Sequence, residues 1–245
     1  MFYHRLEVIL EKCQCTDQAG FRCGIRLEDA LVVVETLASR TSEWNLPLWI
    51  ASLDLRKAFD RIDHTAMVQA LREQGVEDPE VALLLDLYAH QVGSANGSRV
   101  FDIQRGVKQG DVISSLLFNA ALEFVFVRWK ARLQSHGWLL HSDHERLINS
   151  RYADDILLYA KTLDELVEML ELLHVELSAV GLEMHETKTK ILTSCAEHHF
   201  HYVDIADMMI EILPSDKAHK YLGRMLSLNP DARDAGEARN HLCAA

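Results

Sequence analysis

An α+β fold, an antiparallel sheet backed by helices, is what three features of the sequence predict. Hydrophobic periodicity from residue 49 onward yields the order β, α, α, β, α, β, β, α, β. The run Asn149 to Ala160, NSRYADDILLYA, reads as strand, tight acidic turn, strand, with β-branched and aromatic residues on both sides of Asp154 and Asp155. Apolar residues make up 49% and charged residues 25% of 245 residues, a globular balance able to bury a sizeable core.

The elements follow in chain order. Leu6 to Leu10 with Glu11 and Lys12 reads as a short helix, and CQCTDQAGFRCG as a connecting loop. From Leu27, the residues Ala30, Leu31, Val34, Leu37 and Ala38 recur at helical spacing and mark an amphipathic helix. LPLWIASLDL is a buried strand ending at Asp54. Asp63 caps a helix through Met67, Ala70 and Leu71 that stops at Gly75. Asp78 as cap and Pro79 in the first turn begin the next helix, which runs to about His90. Ser98 to Ile103 forms a strand, the loop QRGVKQGDVIS follows, and Ser114 opens a long apolar helix to about Gln134. Thr162 and Glu165 form a capping box for a helix with Leu163, Leu166, Val167, Leu170, Leu173 and Leu177 on one face, ended by Gly181. TKILTS, MMIEIL and HKYLGRMLSL are short strands, and the stretch after Pro230 is polar and loose.

Composition excludes several classes. His4, Arg5, Glu7, Glu11 and Lys12 interrupt the first twenty residues, so no secretory apolar run exists there. LLFNAALEFVFV, broken by Asn119 and Glu123, reads as too short and too polar to cross a membrane. Five scattered cysteines, an odd count, point to a reducing compartment, cytoplasmic or nuclear, rather than to a disulfide framework. Neither Cys13, Cys15 and Cys23 with His4 nor His198, His199 and His201 has a recognised zinc-ligand spacing. A net charge of −12, from 37 acidic against 25 basic residues, opposes strong sequence-independent binding of nucleic acid by this chain.

Asp154 and Asp155 alone are compatible with an ordinary Asx-type turn. SLDLRKAFDRIDH adds a third carboxylate, Asp54, at the end of an apolar strand, where it is otherwise a helix cap or a surface charge. Held together, the three are unstable as bare anions and call for a divalent cation. Oxygen ligands suit Mg²⁺, and two such ions clamp the attacking and leaving oxygens of a phosphoryl transfer.

SLDLRKAFDRIDH, RGVKQGDVISSLLFNAALE, YADD, GLEMHETKTKIL and HKYLG resemble, in this order, motifs A to E of reverse transcriptases of the non-LTR retrotransposon (LINE-like) and group II intron type. QAGFRCGIRLEDAL resembles the preceding finger segment, and the likeness extends from about Arg5 to Leu228. It implies a polymerase palm with partial fingers: residues 1–48 as a fingers segment, 49–213 as palm, 214–228 as a primer-grip-like hairpin and 229–245 as a loose tail. The implied activity is RNA-directed DNA synthesis in a retroelement, with an RNA template, a DNA primer and dNTP as partners and no membrane. Finger strands, thumb and endonuclease regions of a longer polyprotein are expected outside this stretch.

Residue by residue, the resemblance implies two Mg²⁺ ions, replaceable by Mn²⁺, held by Asp54, Asp154 and the Leu55 carbonyl, with Asp155 completing the site. Lys188 matches the motif D lysine, a proton donor to pyrophosphate, and is otherwise a surface lysine. Phe59 stands where the family has an aromatic gate against a ribose 2′-OH, and is otherwise a core residue anchoring the following helix. Gln109 and Gly110 match the loop against nucleotide and template, Arg105 and Lys108 face phosphate or solvent, Tyr152 belongs to the YADD run, and Gly223 lies in the primer grip. Ser114-Ser115 replaces the family's Ser-Pro, which loosens a helix start, and His185 stands where Asn is usual. A catalytically silent palm that only binds RNA is the alternative. A cyclase-like palm enzyme is a weaker one, opposed by the Gln109-Gly110 loop together with YADD.

Overall fold

The computed structural model describes residues 2–89, 92–95, 99–102, 105–108, 110–140, 146–195 and 200–229. Along the chain run α1 (Phe2–Glu11), α2 (Leu27–Glu43), β1 (Trp49–Leu53), α3 (Ala58–Arg61), α4 (His64–Glu73), α5 (Asp78–Ala89), β2 (Val92–Ala95) and β3 (Arg99–Asp102). Then come α6 (Val112–Arg132), β4 (Trp138–Leu139), β5 (Arg146–Leu147), β6 (Asn149–Tyr152), β7 (Asp155–Ala160) and α7 (Leu163–Ala179). β8 (Lys190–Thr193), β9 (Tyr202–Ile205), β10 (Met208–Ile212), β11 (His219–Tyr221) and β12 (Arg224–Leu226) complete the described elements. They form two compact units, neither continuous in sequence. One comprises Met1–Thr16, Arg56–Ala131 and Val175–Glu183, the other Asp17–Leu55, Arg132–His174 and Met184–Ala245.

The sheet belongs to the second unit, in the strand order β6-β7-β1-β8-β10-β9. Its pairs are antiparallel except β8 with β10. β1 is buried at all five positions, which is why WIASL reads as a continuous apolar run and not as an alternation. One face carries Ile50, Leu157, Tyr159 and Leu192. On it α2 lays Leu31, Val34 and Leu37, and the β11–β12 hairpin adds Tyr221 and Leu226. The stripe Ala30, Leu31, Val34, Leu37 is the helical periodicity expected of α2. At its start the Asp29 carboxylate accepts from the Arg26 N–H at 2.8 Å.

In the first unit, Asp63 caps α4 as expected, its Oδ1 accepting from the Thr65 and Ala66 N–H groups at 2.9 and 3.2 Å. α6 is buried on nearly every side, from Leu117 to Trp129 and including Asn119 and Glu123. It begins at Val112, not at Ser114, and at 21 residues it is long and apolar enough by composition to cross a membrane. That corrects the reading of this run as too short and too polar. Two-thirds of its most apolar window is buried inside the protein, which is how the central helix of a core behaves.

Other expectations shift locally. Thr162 Oγ1 accepts from the Glu165 N–H at 3.2 Å, but the Glu165 carboxylate reaches back to the Lys161 N–H at 2.8 Å, so the capping box is half formed. HKYLGRMLSL, a short strand by its residue pattern, folds as the hairpin that the resemblance implied, and β2 and β9 were not legible as strands. The end of the α5 pattern at His90 and the start of the β3 pattern at Ser98 lie outside the described residues.

Removing side-chain volume from the centre of this sheet tests the packing. Ile50→Ala is expected to destabilise the protein by about 2–5 kcal/mol in urea unfolding. A loss well below about 1 kcal/mol would show that the α2 face is not a close-packed core.

Candidate active site

Asp54 stands one residue past the end of β1, Asp155 opens β7, and Asp154 lies in the turn before it. The register of β1 with β7 ends at Leu53↔Ile156, so Asp54 and Asp155 occupy the next step. Tyr152 pairs with Asp155 across the hairpin, leaving Ala153 and Asp154 as the turn. Ala153 adopts φ 58°, a left-handed conformation that costs an L-residue about 1–2 kcal/mol. The sheet has thus brought the three expected carboxylates to one end of β1 and β7.

The loop before β8 is tied to the same strand end. The His185 N–H donates to the Asp54 carbonyl at 2.8 Å, and Leu55 pairs with Met184 in an isolated antiparallel bridge. Lys188 Nζ lies 3.3 Å from each carboxylate oxygen of Asp54. Both side chains are partly exposed, so this pair contributes little to stability. His219 Nε2 lies 3.1 Å from Ser52 Oγ. Burial first, and Lys190 second, hold this imidazole below its ordinary pKa, while Asp54 opposes them.

Electrostatics of the carboxylates is unfavourable. Burial pushes the Asp154 carboxyl above the ordinary aspartate range, Asp54 adds to the shift, and Lys188 opposes it. Asp155 keeps an exposed edge, yet partial burial, then Asp154 and then Asp54 push its carboxyl up to about 6. Among the described residues no three His, Cys, Asp or Glu side chains close into a ready-made metal cage. Mg²⁺ does not require one, because it binds through one or two carboxylates plus water and substrate phosphates. The donor set fits such an ion: oxygen-only ligands whose bare anions are already disfavoured by burial and mutual repulsion.

The β11–β12 hairpin turns through Leu222 and Gly223, at φ 48° and 80°. A side chain at Gly223 would meet open space, so its backbone conformation, not crowding, calls for glycine. Phe59, Arg105, Lys108 and Gly110 belong to the other unit. There the Phe59 ring stacks on Phe118, with centroids 4.5 Å apart and planes 15° from parallel, and remains half-buried. The Gly106 and Val107 N–H groups donate to the Ile62 and Phe59 carbonyls at 2.8 and 2.6 Å. A Cβ on Gly106 would come within 2.7 Å of the Asp60 backbone, so this glycine permits the close approach. Arg105, Lys108 and Gly110 are exposed, and Gln109 lies outside the described residues.

Sequence reading passed over Asp17, Gln18, Gly20 and Arg151. Gln18 and Arg151 are completely buried polar residues beside the YADD turn. The sequence signal was the likeness of QAGFRCGIRLEDAL, which begins at Gln18, to a finger segment, and it assigned no role to these side chains.

The family described as "Reverse transcriptase (RNA-dependent DNA polymerase)" matches residues 1–226. A Transposon TX1 uncharacterized 149 kDa protein from Xenopus laevis is 28% identical over 91% of this chain. A Retrovirus-related Pol polyprotein from a type-1 retrotransposable element R2 of Nasonia vitripennis is 32% identical over 59% of it. The chain spans 17% and 14% of the length of these two relatives. Among solved structures, apo telomerase from Candida tropicalis superposes with a TM-score of 0.67 at 13% identity, covering 93% of this chain and 39% of that one. A Candida tropicalis telomerase truncated from its C-terminal domain superposes at 0.60 and 13% identity, covering 86% of this chain and 43% of its own. At these identities the structures show a shared fold, and with the family match over nearly the full length, the chain belongs to the reverse transcriptase family.

Proposed function

We propose that this chain is the polymerase module of a retroelement protein, extending a DNA primer on an RNA template. The observation that carries the reading is the set of Asp54, Asp154 and Asp155 at one end of the neighbouring strands β1 and β7, where burial first, and then the Asp154 and Asp54 charges, lift the Asp155 carboxyl to about 6. Asp54, Asp154 and the Leu55 carbonyl would hold two Mg²⁺ ions, or Mn²⁺, with Asp155 completing the site. When bound, the ions supply charge neutralisation at the attacking and leaving oxygens of an in-line displacement. In that displacement the primer 3′ oxygen bonds to the α-phosphorus, the bond to pyrophosphate breaks, and the 3′-OH proton passes to solvent.

Lys188, 3.3 Å from Asp54, would give a proton to the departing pyrophosphate. Tyr152 and the Gly223 backbone would line the primer end. Phe59 would exclude a ribose 2′-OH, and Arg105, Gln109 and Gly110 would meet nucleotide and template. Four free cysteines among the described residues, Cys13, Cys15, Cys23 and Cys195, support a reducing compartment, cytoplasm or nucleus. A catalytically silent palm that only binds RNA is the second reading, and the net charge of −12 opposes its RNA binding as much as it opposes a template's approach.

Four outcomes test the reading. The native Asp155 carboxyl holds its proton to about pH 6 and an unfolded aspartate only to 3.8, so the native state binds more protons between those values. The metal-free chain therefore loses stability as pH rises through that window, and Asp155→Asn, which cannot titrate, should gain on the parent between about pH 4 and 6. Melting curves at several pH values check this, and parallel curves for the two proteins would remove the electrostatic premise. Millimolar Mn²⁺ at pH 7 should then raise the parent's melting temperature and move Asp154→Asn much less.

Primer extension at low salt with Mn²⁺ and an RNA template should give weak, distributive synthesis that falls steeply with salt. Asp54→Ala, and Asp154→Ala together with Asp155→Ala, should abolish it, because the site acts as a unit. Blank lanes for the parent, with RNA bound equally by all three proteins, would decide for the silent palm. In the same assay Phe59→Ala should admit ribonucleotides. An unchanged preference for dNTP would leave Phe59 as the packing partner of Phe118.

A further inference from the structure

Ahead of the sheet, the segment from Asp17 to Gly20 lies along β6. The Arg151 N–H donates to the Asp17 carbonyl at 2.7 Å and the Ala19 N–H donates to the Arg151 carbonyl at 2.8 Å, with Gln18 and Arg151 paired in a parallel bridge. The Asp17 carboxylate holds the Arg151 guanidinium at 3.1 Å and also accepts from the Asn149 amide. Arg151 is wholly buried, so this ion pair fixes the segment far more firmly than a surface pair would.

Gln18 is also wholly buried, and its Oε1 accepts two backbone N–H groups, Gly20 at 2.8 Å and Ala153 at 3.0 Å. Both partners are N–H donors, so the oxygen must be the end that faces them. Ala153 is the left-handed residue of the turn that carries Asp154, it is buried, and in a two-residue hairpin its N–H has no partner in the ladder. Gly20 makes the approach possible: a Cβ there would run into the Ala153 nitrogen and lie 2.8 Å from the Tyr152 carbonyl carbon. The Gln18 Nε2 finds no hydrogen-bond partner among the described residues. What the site uses is therefore the acceptor and not the donor.

We propose that Gln18 is a positioning residue: by accepting from the Ala153 N–H it sets the turn peptide, and through it the direction in which Asp154 presents its carboxylate to a divalent cation. The metal part rests on the polymerase reading above; the hydrogen bond does not.

The experiment compares the full chain with Gln18→Met, which keeps the shape and removes the acceptor, and Gln18→Glu, which keeps the acceptor. Mn²⁺ affinity is read by the EPR signal of the free ion, and kcat and the KM for dNTP by primer extension. Gln18→Met should weaken Mn²⁺ binding about tenfold or more and lower kcat by about 10–100-fold with KM little changed, as expected for a residue that orients a ligand. Gln18→Glu, which its burial beside the carboxylates keeps protonated, retains the acceptor and should stay closer to the parent than Gln18→Met in both. A Gln18→Met protein that melts lower but binds Mn²⁺ and turns over like the parent overturns the assignment, leaving Gln18 as packing. So does a folded Gln18→Glu protein as impaired as Gln18→Met. If Gln18→Met does not fold, Gln18→Asn, whose oxygen is withdrawn by one methylene, takes its place with the same expectations. A parent that binds Mn²⁺ but extends no primer counts against the polymerase reading alone, and Gln18 is then judged on Mn²⁺ affinity. A parent that does neither overturns both.

Discussion

The antiparallel pairing of β1 with β7 carries the acidic centre, because it sets Asp54 beside Asp155, a hundred positions further along the chain. Side chains along a strand alternate with period two, so a slip of one residue would send Asp54 to the opposite face from Asp155. What prevents the slip is packing on the face between β1 and α2. Ile50, Leu157, Tyr159 and Leu192 lie there against Leu31, Val34 and Leu37, and a one-residue shift would bury the wrong set. The apolar core thus sets the geometry of a polar site that it does not itself contain.

That geometry has a cost the protein keeps. Asp154 and Asp155 are both held above the ordinary aspartate range by burial and by one another or Asp54, and Ala153 sits in a backbone conformation disfavoured for an L-residue. Lys188 offsets part of the charge from an exposed position, too weakly to neutralise three carboxylates. The unfavourable backbone and charges are thus concentrated at one end of the central strands β1 and β7, inside an otherwise well-buried sheet. The buried Asp17–Arg151 pair and Gln18 brace that end from outside the strands that bear the carboxylates.

Legibility in the sequence followed the range of the interaction. The Asp63 cap, the α2 stripe, the apolar run of β1 and the acidic hairpin were readable, because each depends on residues within one or two turns of each other. Glu165 was half readable. Its N–H meets Thr162 as expected, but its carboxylate was claimed by Lys161 and by the Gly137 N–H, and the second partner lies 28 positions away. The apolar run of α6 was misjudged because Asn119 and Glu123 looked like solvent-facing breaks, whereas the fold buries both. β9 was missed because Tyr202 and Asp204 are exposed edge-strand residues with no apolar alternation to announce them.

By itself the sequence determined the family, the α+β class and which three carboxylates the fold brings together, since ordered motifs and short-range periodicity survive without any knowledge of packing. Only the tertiary structure decided that burial lifts the Asp155 carboxyl, that His185 and Met184 tie the loop before β8 to Asp54 and Leu55, and that a segment resembling part of the fingers grips the YADD turn through Gln18. Those facts depend on burial and on partners more than a hundred residues apart. The dielectric around a carboxyl, or the donor that meets a buried amide oxygen, is a property of the assembled fold and not of any window of the chain.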